Sequence, residues 1–381
     1  MGLPLVSRLD DPDVYASAPG RVEFIGNHTD YNGGEVLGAT IDRRVAVGLS
    51  RRKDDWITLE SDGDVPPVRV ERDAVEPRSG EEAWANYVLG VLAVLRAEGL
   101  NDDTGFALQV RSTLPVGAGL SSSAALEVAT ACALNEAFGG GFGRKALARL
   151  ARRAENDFVG VPCGLLDQAV VAFGDERHLV RLDARTEEIS TVPFPAQTGL
   201  WIFRTHRAHA LAEAHYQERH DEARAVRDRL DDLLGGVEHL AAVAPEELEG
   251  VKEHLPAELY RRALHVSTEH RRVQRAVRLL EREEHEAVGK LLFASHESSR
   301  VNYENSTEEL DFVVEQLTQS AHVLGGRLTG AGFGGAAMAW TREAFGDDEA
   351  RAVAAAYADR FGEELEVLAC RPAPGPLTTR R

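Results

Sequence analysis

The chain has 381 residues, 43% hydrophobic and 28% charged, enough to bury a sizeable core and to divide into two domains. Its formal net charge of −19 offers no basic footprint, and no apolar run is long enough to span a bilayer, so neither nucleic acid nor a membrane is expected as a partner. Cys132, Cys163 and Cys370 lack paired metal-ligand spacing, and the first residues lack a basic segment followed by an apolar one, so a cytoplasmic protein with reduced thiols is expected.

The first informative stretch is Ala18-Pro-Gly-Arg-Val-Glu-Phe-Ile-Gly-Asn-His-Thr-Asp-Tyr-Asn-Gly-Gly34. It packs Arg21, Glu23, Asn27, His28, Asp30, Tyr31 and Asn32 into one glycine-punctuated segment. Such a density of directional donors and acceptors suits a polyhydroxylated ligand such as a sugar, although Asn, Asp and Gly are also what surface turns use. A strand-like run over Val45–Leu49 and a helix near 84–97 follow.

Phe106, Leu108 and Val110 alternate as in a half-buried strand, and Ala124, Val128, Ala131 and Leu134 recur at helical spacing. Between them lies Pro115-Val-Gly-Ala-Gly-Leu-Ser-Ser-Ser-Ala-Ala-Leu126, so the order is strand, glycine-rich loop, helix N-terminus. Unpaired N–H groups at such a terminus suit a phosphate, Gly117 and Gly119 permit close approach, and Ser121 to Ser123 add hydroxyls. A loop that only caps the helix is the alternative, and the absence of a lysine excludes a Walker A motif. The helix is expected over 122–138, stopped by Gly139-Gly140-Gly141, with another over 144–157.

Glu155 to Gln168 contains Gly160, Pro162 and Gly164, hence a loop, and sets Asp167 among apolar residues. A carboxylate so placed pairs with a cation, does chemistry, or caps a helix. From about 208 to 300 the pattern is mainly helical, with Tyr216 to Leu234 ended by Gly235-Gly236 and a charged stretch from Glu258 to Arg300. His206, His209, His215 and His220 share no ligand spacing and read as a solvated face rather than a zinc site. Gly325-Gly-Arg-Leu-Thr-Gly-Ala-Gly-Phe-Gly-Gly335 is a second glycine-dense loop within a strand-like close over Leu324–Trp340. Little strand precedes it and a strand, not a helix, is expected after it, so the dinucleotide-binding reading fails on context. A helix near 348–361 and a loose tail over 372–381 complete the pattern. Together these elements predict a two-domain α+β protein with a cleft, divided as 1–185 and 186–381.

The order of the three motifs resembles the GHMP small-molecule kinases, and among them the galactokinases. The segments that carry the likeness are Arg21 to Tyr31, the Pro115–Ala125 loop, and Leu328-Thr-Gly-Ala-Gly-Phe-Gly-Gly335. Trp84 to Val91, Pro162 to Gln168, His209 with Tyr216 and Arg219, and Ser295-His296 with Glu309 to Asp311 extend it along nearly the whole chain. The resemblance implies the GHMP kinase fold, with ATP and Mg²⁺ over the serine loop and a sugar in the cleft. Asp167 would take the proton from the anomeric hydroxyl, with Arg21 as its cationic neighbour. Gly117, Ala118, Gly119, Leu120, Ser121 and Ser122, extended by Ser123, would cradle the phosphates, and Trp84 would contact adenine. Ser123 and Glu155 would hold Mg²⁺, while Asn27, His28, Asp30, Gly164 and Tyr216 would contact the sugar.

One departure bears on the substrate. Galactokinases usually have Asn where this chain has Glu23, and Glu where it has Asn27, near the C6 end of the sugar. Galactose to galactose 1-phosphate is the expected reaction. A kinase for a C6-modified sugar such as galacturonate is one alternative, and a catalytically silent sugar sensor is another.

Overall fold

The structure is a computed structural model that describes residues 11–115, 119–208 and 212–381. Strand β1 (Val14–Ile25) is buried along its whole length, its charged Arg21 and Glu23 included, so it is covered on both faces. It pairs antiparallel with β2 (Glu35–Arg51), which extends well beyond the run legible at Val45–Leu49. β2 pairs in turn with β5 (Phe106–Ser112), which runs parallel to β3 (Trp56–Ser61), and β4 (Val68–Glu71) borders β3. The hairpin of β6 (His178–Asp183) and β7 (Glu188–Pro193) branches from the first residues of β2. It spans residue 185, so the first sheet draws on both sides of the expected division.

The tail does not hang loose. β12 (Leu377–Arg380) pairs antiparallel with β1, from Val14 opposite Arg380 to Ser17 opposite Leu377. Two central threonines favour an extended backbone, and the pairing occupies N–H and C=O groups that β1 would otherwise leave open.

The first sheet is backed by α1 (Asn86–Ala97), α2 (Ser122–Ala137), α3 (Arg144–Ala154) and α4 (Leu166–Phe173). α2 lies directly on β1 and β2 and is buried on nearly every side, which its alanine-rich sequence allows. The helix expected over 144–157 ends at Ala154, and a wider π-helical turn carries the chain from Glu155 to Val159.

A second, antiparallel sheet has the order β11 (Glu366–Cys370), β8 (Thr198–Ala208), β10 (Gly334–Arg342), β9 (Val323–Thr329). α8 (His285–Ser298), α9 (Glu308–Leu317) and α10 (Asp347–Phe361) pack around it. β9 is a full strand before the second glycine loop, longer than Val323-Leu324 suggested; β10 follows as expected, so the loop joins two strands and opens no helix. α5 (Ala212–Leu234), α6 (Pro245–Val251) and α7 (Ala257–Glu281) form a helical layer whose core includes Val226, Leu230, Val266 and Tyr303. The charged stretch from Glu258 to Arg300 is therefore mostly two helices, α7 and α8, broken near Glu283. Tyr31 packs into this layer and ties the first motif to the helices.

Candidate active site

Gly20 explains how the first two motifs meet. A Cβ there would stand 2.4 Å from a Leu114 methyl carbon and 2.8 Å from the Leu120 carbonyl oxygen, so glycine lets the serine loop lie against β1. The next residue exploits this contact. The Arg21 N–H donates to Leu120 O at 3.1 Å, and its Nη1 donates to Gly119 O at 2.6 Å. The rest of the guanidinium grips Asp167, with Nε at 2.7 Å and Nη2 at 2.6 Å from Oδ1. Ser121, at the start of α2 with a left-handed φ of 56°, makes no cap; its hydroxyl donates to Asp167 Oδ2 at 2.5 Å. The Arg21 side chain is 7% exposed and that of Asp167 28%, so the carboxylate is the member of the pair open to a ligand.

Beyond Asp167 lies a cluster of acids. Glu155, in the wide turn, accepts from Gln168 Nε2 at 2.6 Å and from the Cys163 thiol at 3.3 Å, and it hydrogen-bonds with Ser123. The same Gln168 nitrogen donates to Glu127 at 3.1 Å, while Glu127 Oε1 is buried with no partner. Burial first, then Asp167, pushes the Glu155 carboxyl up; burial and Glu155 push Glu127 well up. Burial and Glu155 also push the Cys163 thiol up, so it is a donor here and not a thiolate. No group of three or more His, Cys, Asp or Glu ligands occurs among the described residues. One carboxylate, one hydroxyl and an unpartnered buried oxygen nearby nevertheless fit Mg²⁺, which keeps waters and completes its shell with phosphates.

The other face of Asp167 opens on a cavity of about 480 Å³ lined by Arg21, Glu23, Asp30, Cys163, Asp167 and Tyr216, among others. Asp30 reaches it because position 164 is glycine: a Cβ there would stand 2.1 Å from Asp30 Oδ2. Burial, reinforced by Glu23 and Asp167, pushes the Asp30 carboxyl up to about 7. Burial lowers His28 to about 3, so its ring is neutral. Its Nε2–H donates to Ala331 O at 3.0 Å, which leaves Nδ1 to accept the Tyr31 hydroxyl at 2.9 Å; Tyr303 lies 2.7 Å further along the chain of hydroxyls. The Gly26 and Asn27 N–H groups donate to Glu269 on α7, which Arg272 and Arg327 hold at about 2 despite its complete burial. The second glycine loop forms the opposite wall. A Cβ on Gly330 would lie 3.5 Å from Gly119 O, so the two glycine loops touch.

Comparison with known proteins is consistent along the chain. Residues 86–175 match the family model of the GHMP kinases N terminal domain, 276–362 that of the GHMP kinases C terminal, and 7–51 the galactokinase galactose-binding signature. Galactokinase of Thermococcus kodakarensis is 38% identical over 360 residues, spanning 94% of this chain and 98% of its own. The chain belongs to the galactokinase family of GHMP kinases. Human galactokinase is 38% identical over 85% of this chain and 83% of its own. The crystal structure of Lactococcus lactis galactokinase complexed with galactose matches with a TM-score of 0.92 at 33% identity, covering 98% of this chain and 96% of that one. A mevalonate kinase, at 16% identity and a TM-score of 0.66, shares the fold.

Within this galactokinase-family fold, Asp167, Arg21, Leu120, Ser121, Ser123 and Glu155 come together, as do Asp30, Gly164 and Tyr216. Gly119 joins them through its carbonyl. Gly117, Ala118 and His209 lie outside the described residues. Ser122 is half-buried at the start of α2. Trp84 does not line the cavity: it packs against the first core and its indole N–H donates to Pro66 O at 3.0 Å. Asn27 and His28 line the cavity, yet their side-chain polar atoms are engaged within the protein. Sequence reasoning gave no role to Glu127, Gln168, Glu269 or Arg327. The signal for Gln168 was its place beside Asp167; the others have partners too distant in the chain to be read locally.

Proposed function

We propose that this enzyme transfers the γ-phosphoryl group of ATP to the anomeric hydroxyl of galactose, giving galactose 1-phosphate and ADP. The observation that carries this reading is Asp167, held on one oxygen by Arg21 and on the other by Ser121, at the junction of a sugar-sized cavity and the start of α2. In this reading Asp167 receives the hydroxyl proton as the sugar oxygen bonds to phosphorus and the bond to the ADP oxygen breaks. Arg21 fixes that carboxylate and offsets its charge beside the reacting groups. Asp30, Tyr216 and the backbone at Gly164 line the space the sugar would occupy. Ser123 and Glu155 would hold Mg²⁺, which neutralises phosphate charge when bound. Unpaired N–H groups at the start of α2 would meet the phosphates. Such chemistry needs positioning and charge balance rather than a covalent intermediate.

The silent-sensor alternative requires a site unable to turn over. An uninterrupted Ser121-Ser122-Ser123 with both Arg21 and Asp167 supports the enzyme instead. No described helix is long and apolar enough to cross a membrane. Three free thiols and an acidic chain without a basic footprint support a cytoplasmic enzyme whose partners are a sugar and ATP, with neither nucleic acid nor a membrane among them. The test is a coupled ADP-release assay over a panel of hexoses with Mg²⁺ and ATP. Sustained turnover with galactose is expected; stoichiometric sugar binding without ADP release would overturn the assignment.

A further inference from the structure

On the galactokinase reading, we propose that Glu23, and not Asn27, grips a hydroxyl of the bound sugar, and that its carboxylate closes the site to sugar acids. A side-chain amide offers two N–H donors and two carbonyl lone pairs. Asn27 has spent all four. Its Nδ2 donates to Glu23 Oε1 at 3.1 Å and to Gly330 O at 2.8 Å, while its Oδ1 accepts from Ser299 Oγ at 3.2 Å and Asn305 Nδ2 at 2.8 Å. At 1% exposure, Asn27 could reach a ligand only by breaking a bond inside the protein. His28 is committed in the same way through both ring nitrogens.

Glu23 is not. Its Oε1 accepts from Asn27 and, at 3.0 Å, from Arg327 Nη1, while no described residue donates to Oε2. The residue lines the cavity together with Asp30 and Asp167. It is also fixed in place. Its N–H donates to Thr329 Oγ1 at 3.0 Å, and its carbonyl lies 3.2 Å from Arg327 Nη1. Arg327 is fully buried, and Glu23 is its one ion-pair partner among the described residues. A rigid carboxylate with open lone pairs accepts a hydroxyl hydrogen and repels a second carboxylate. The amide at position 27 therefore leaves the wall charged, because the negative charge stands on β1 four residues earlier. On this proposal the alternative of a kinase for C6-modified sugars such as galacturonate, left open by the exchange at Glu23 and Asn27, falls away.

The experiment measures kcat/KM of wild type, E23Q and E23A with galactose, its 2-, 3-, 4- and 6-deoxy analogues, and galacturonate. With galactose, E23Q is expected to lose about tenfold to a hundredfold, chiefly in KM, the range for one charged hydrogen bond in a site. For one analogue, the one lacking the gripped hydroxyl, wild type and both variants should agree within about threefold. Galacturonate should be at least a hundredfold poorer than galactose in wild type and should gain on it in E23Q. An equal loss on every deoxy sugar would reduce Glu23 to the counter-ion of Arg327 and overturn the proposal. If that buried pair is needed for folding, wild type alone still decides: galacturonate turned over within tenfold of galactose overturns it. Failure of wild type to phosphorylate galactose at all would instead strike the galactokinase reading beneath it.

Discussion

Two glycine-bearing turns, 119–121 ahead of α2 and 330–333 between β9 and β10, meet across the site and do opposite things. The first ends in α2, so it presents N–H groups and hydroxyls; Ser121 and the Gly119 carbonyl lock Asp167 and Arg21. The second joins β9 to β10 and presents carbonyls: Gly330 O accepts from Asn27, and Ala331 O accepts from His28 and Asn305. One turn leaves donors open beside Asp167, and the other holds Asn27 and His28 still. Glycine density marks where backbone comes close to something. The element that follows decides whether that something is a ligand or another part of the chain.

The comparison predicts that damage on the first side falls on turnover and metal dependence, and damage on the second on sugar affinity. The largest effect belongs to Asp167→Asn, expected to lower kcat by about a hundredfold or more while galactose binding, followed by calorimetry, changes little. Near wild-type kcat would remove Asp167 from the chemistry. Glu155→Ala should raise the Mg²⁺ concentration for half-maximal rate by roughly tenfold or more, the scale on which metal-site residues act. An unchanged Mg²⁺ titration would make Glu155 structural. On the second side, Gly330→Ala forces a side chain into a φ of +77°, at a cost of about 1 kcal/mol. A several-fold rise in galactose KM is expected with kcat and the KM for ATP held within about twofold; a change confined to ATP would dissolve the distinction between the loops.

The smallest effect is a pH dependence. With Asp30 raised to about 7 by burial and by the facing Glu23 and Asp167, its ionised fraction grows from pH 6 to 8. If the sugar takes the ionised form, galactose KM should fall over that interval by up to about tenfold, since each pH unit below a pKa costs a factor near ten in charged form. An Asp30→Asn variant should flatten the profile; an unchanged slope would assign it to another group.

The first loop was legible because its consequence is local: glycines, serines and then alanine-rich helical spacing occupy one stretch of chain. Asp167 stood out as a carboxylate among apolar residues, and α4 indeed begins one residue before it. The hydrogen-bond saturation of Asn27 could not be read in this way, because its carbonyl meets Ser299 and Asn305 from the far end of the chain. Trp84, which the resemblance offered as an adenine contact, packs half-buried against the first core and donates to the Pro66 carbonyl, contacts that its sequence neighbours do not reveal. The wide turn at Glu155–Val159 interrupts what hydrophobic spacing reads as one helix, and the bridge from Gln168 to Glu127 and Glu155 exists only once α2, α3 and α4 are packed.

The pairing of β12 with β1 has a bearing on biosynthesis. Arg21 and Glu23 sit on a strand that leaves the ribosome long before the segment that covers its open flank. Until those emerge, the strand bearing the site has an uncapped edge of the kind that recruits foreign strands. A polypeptide cut short before Leu377 would keep every residue assigned to the reaction and still lose the cover on that edge. Such a truncation should therefore register first as poor recovery of dispersed protein during expression, and only afterwards as a change in specific activity.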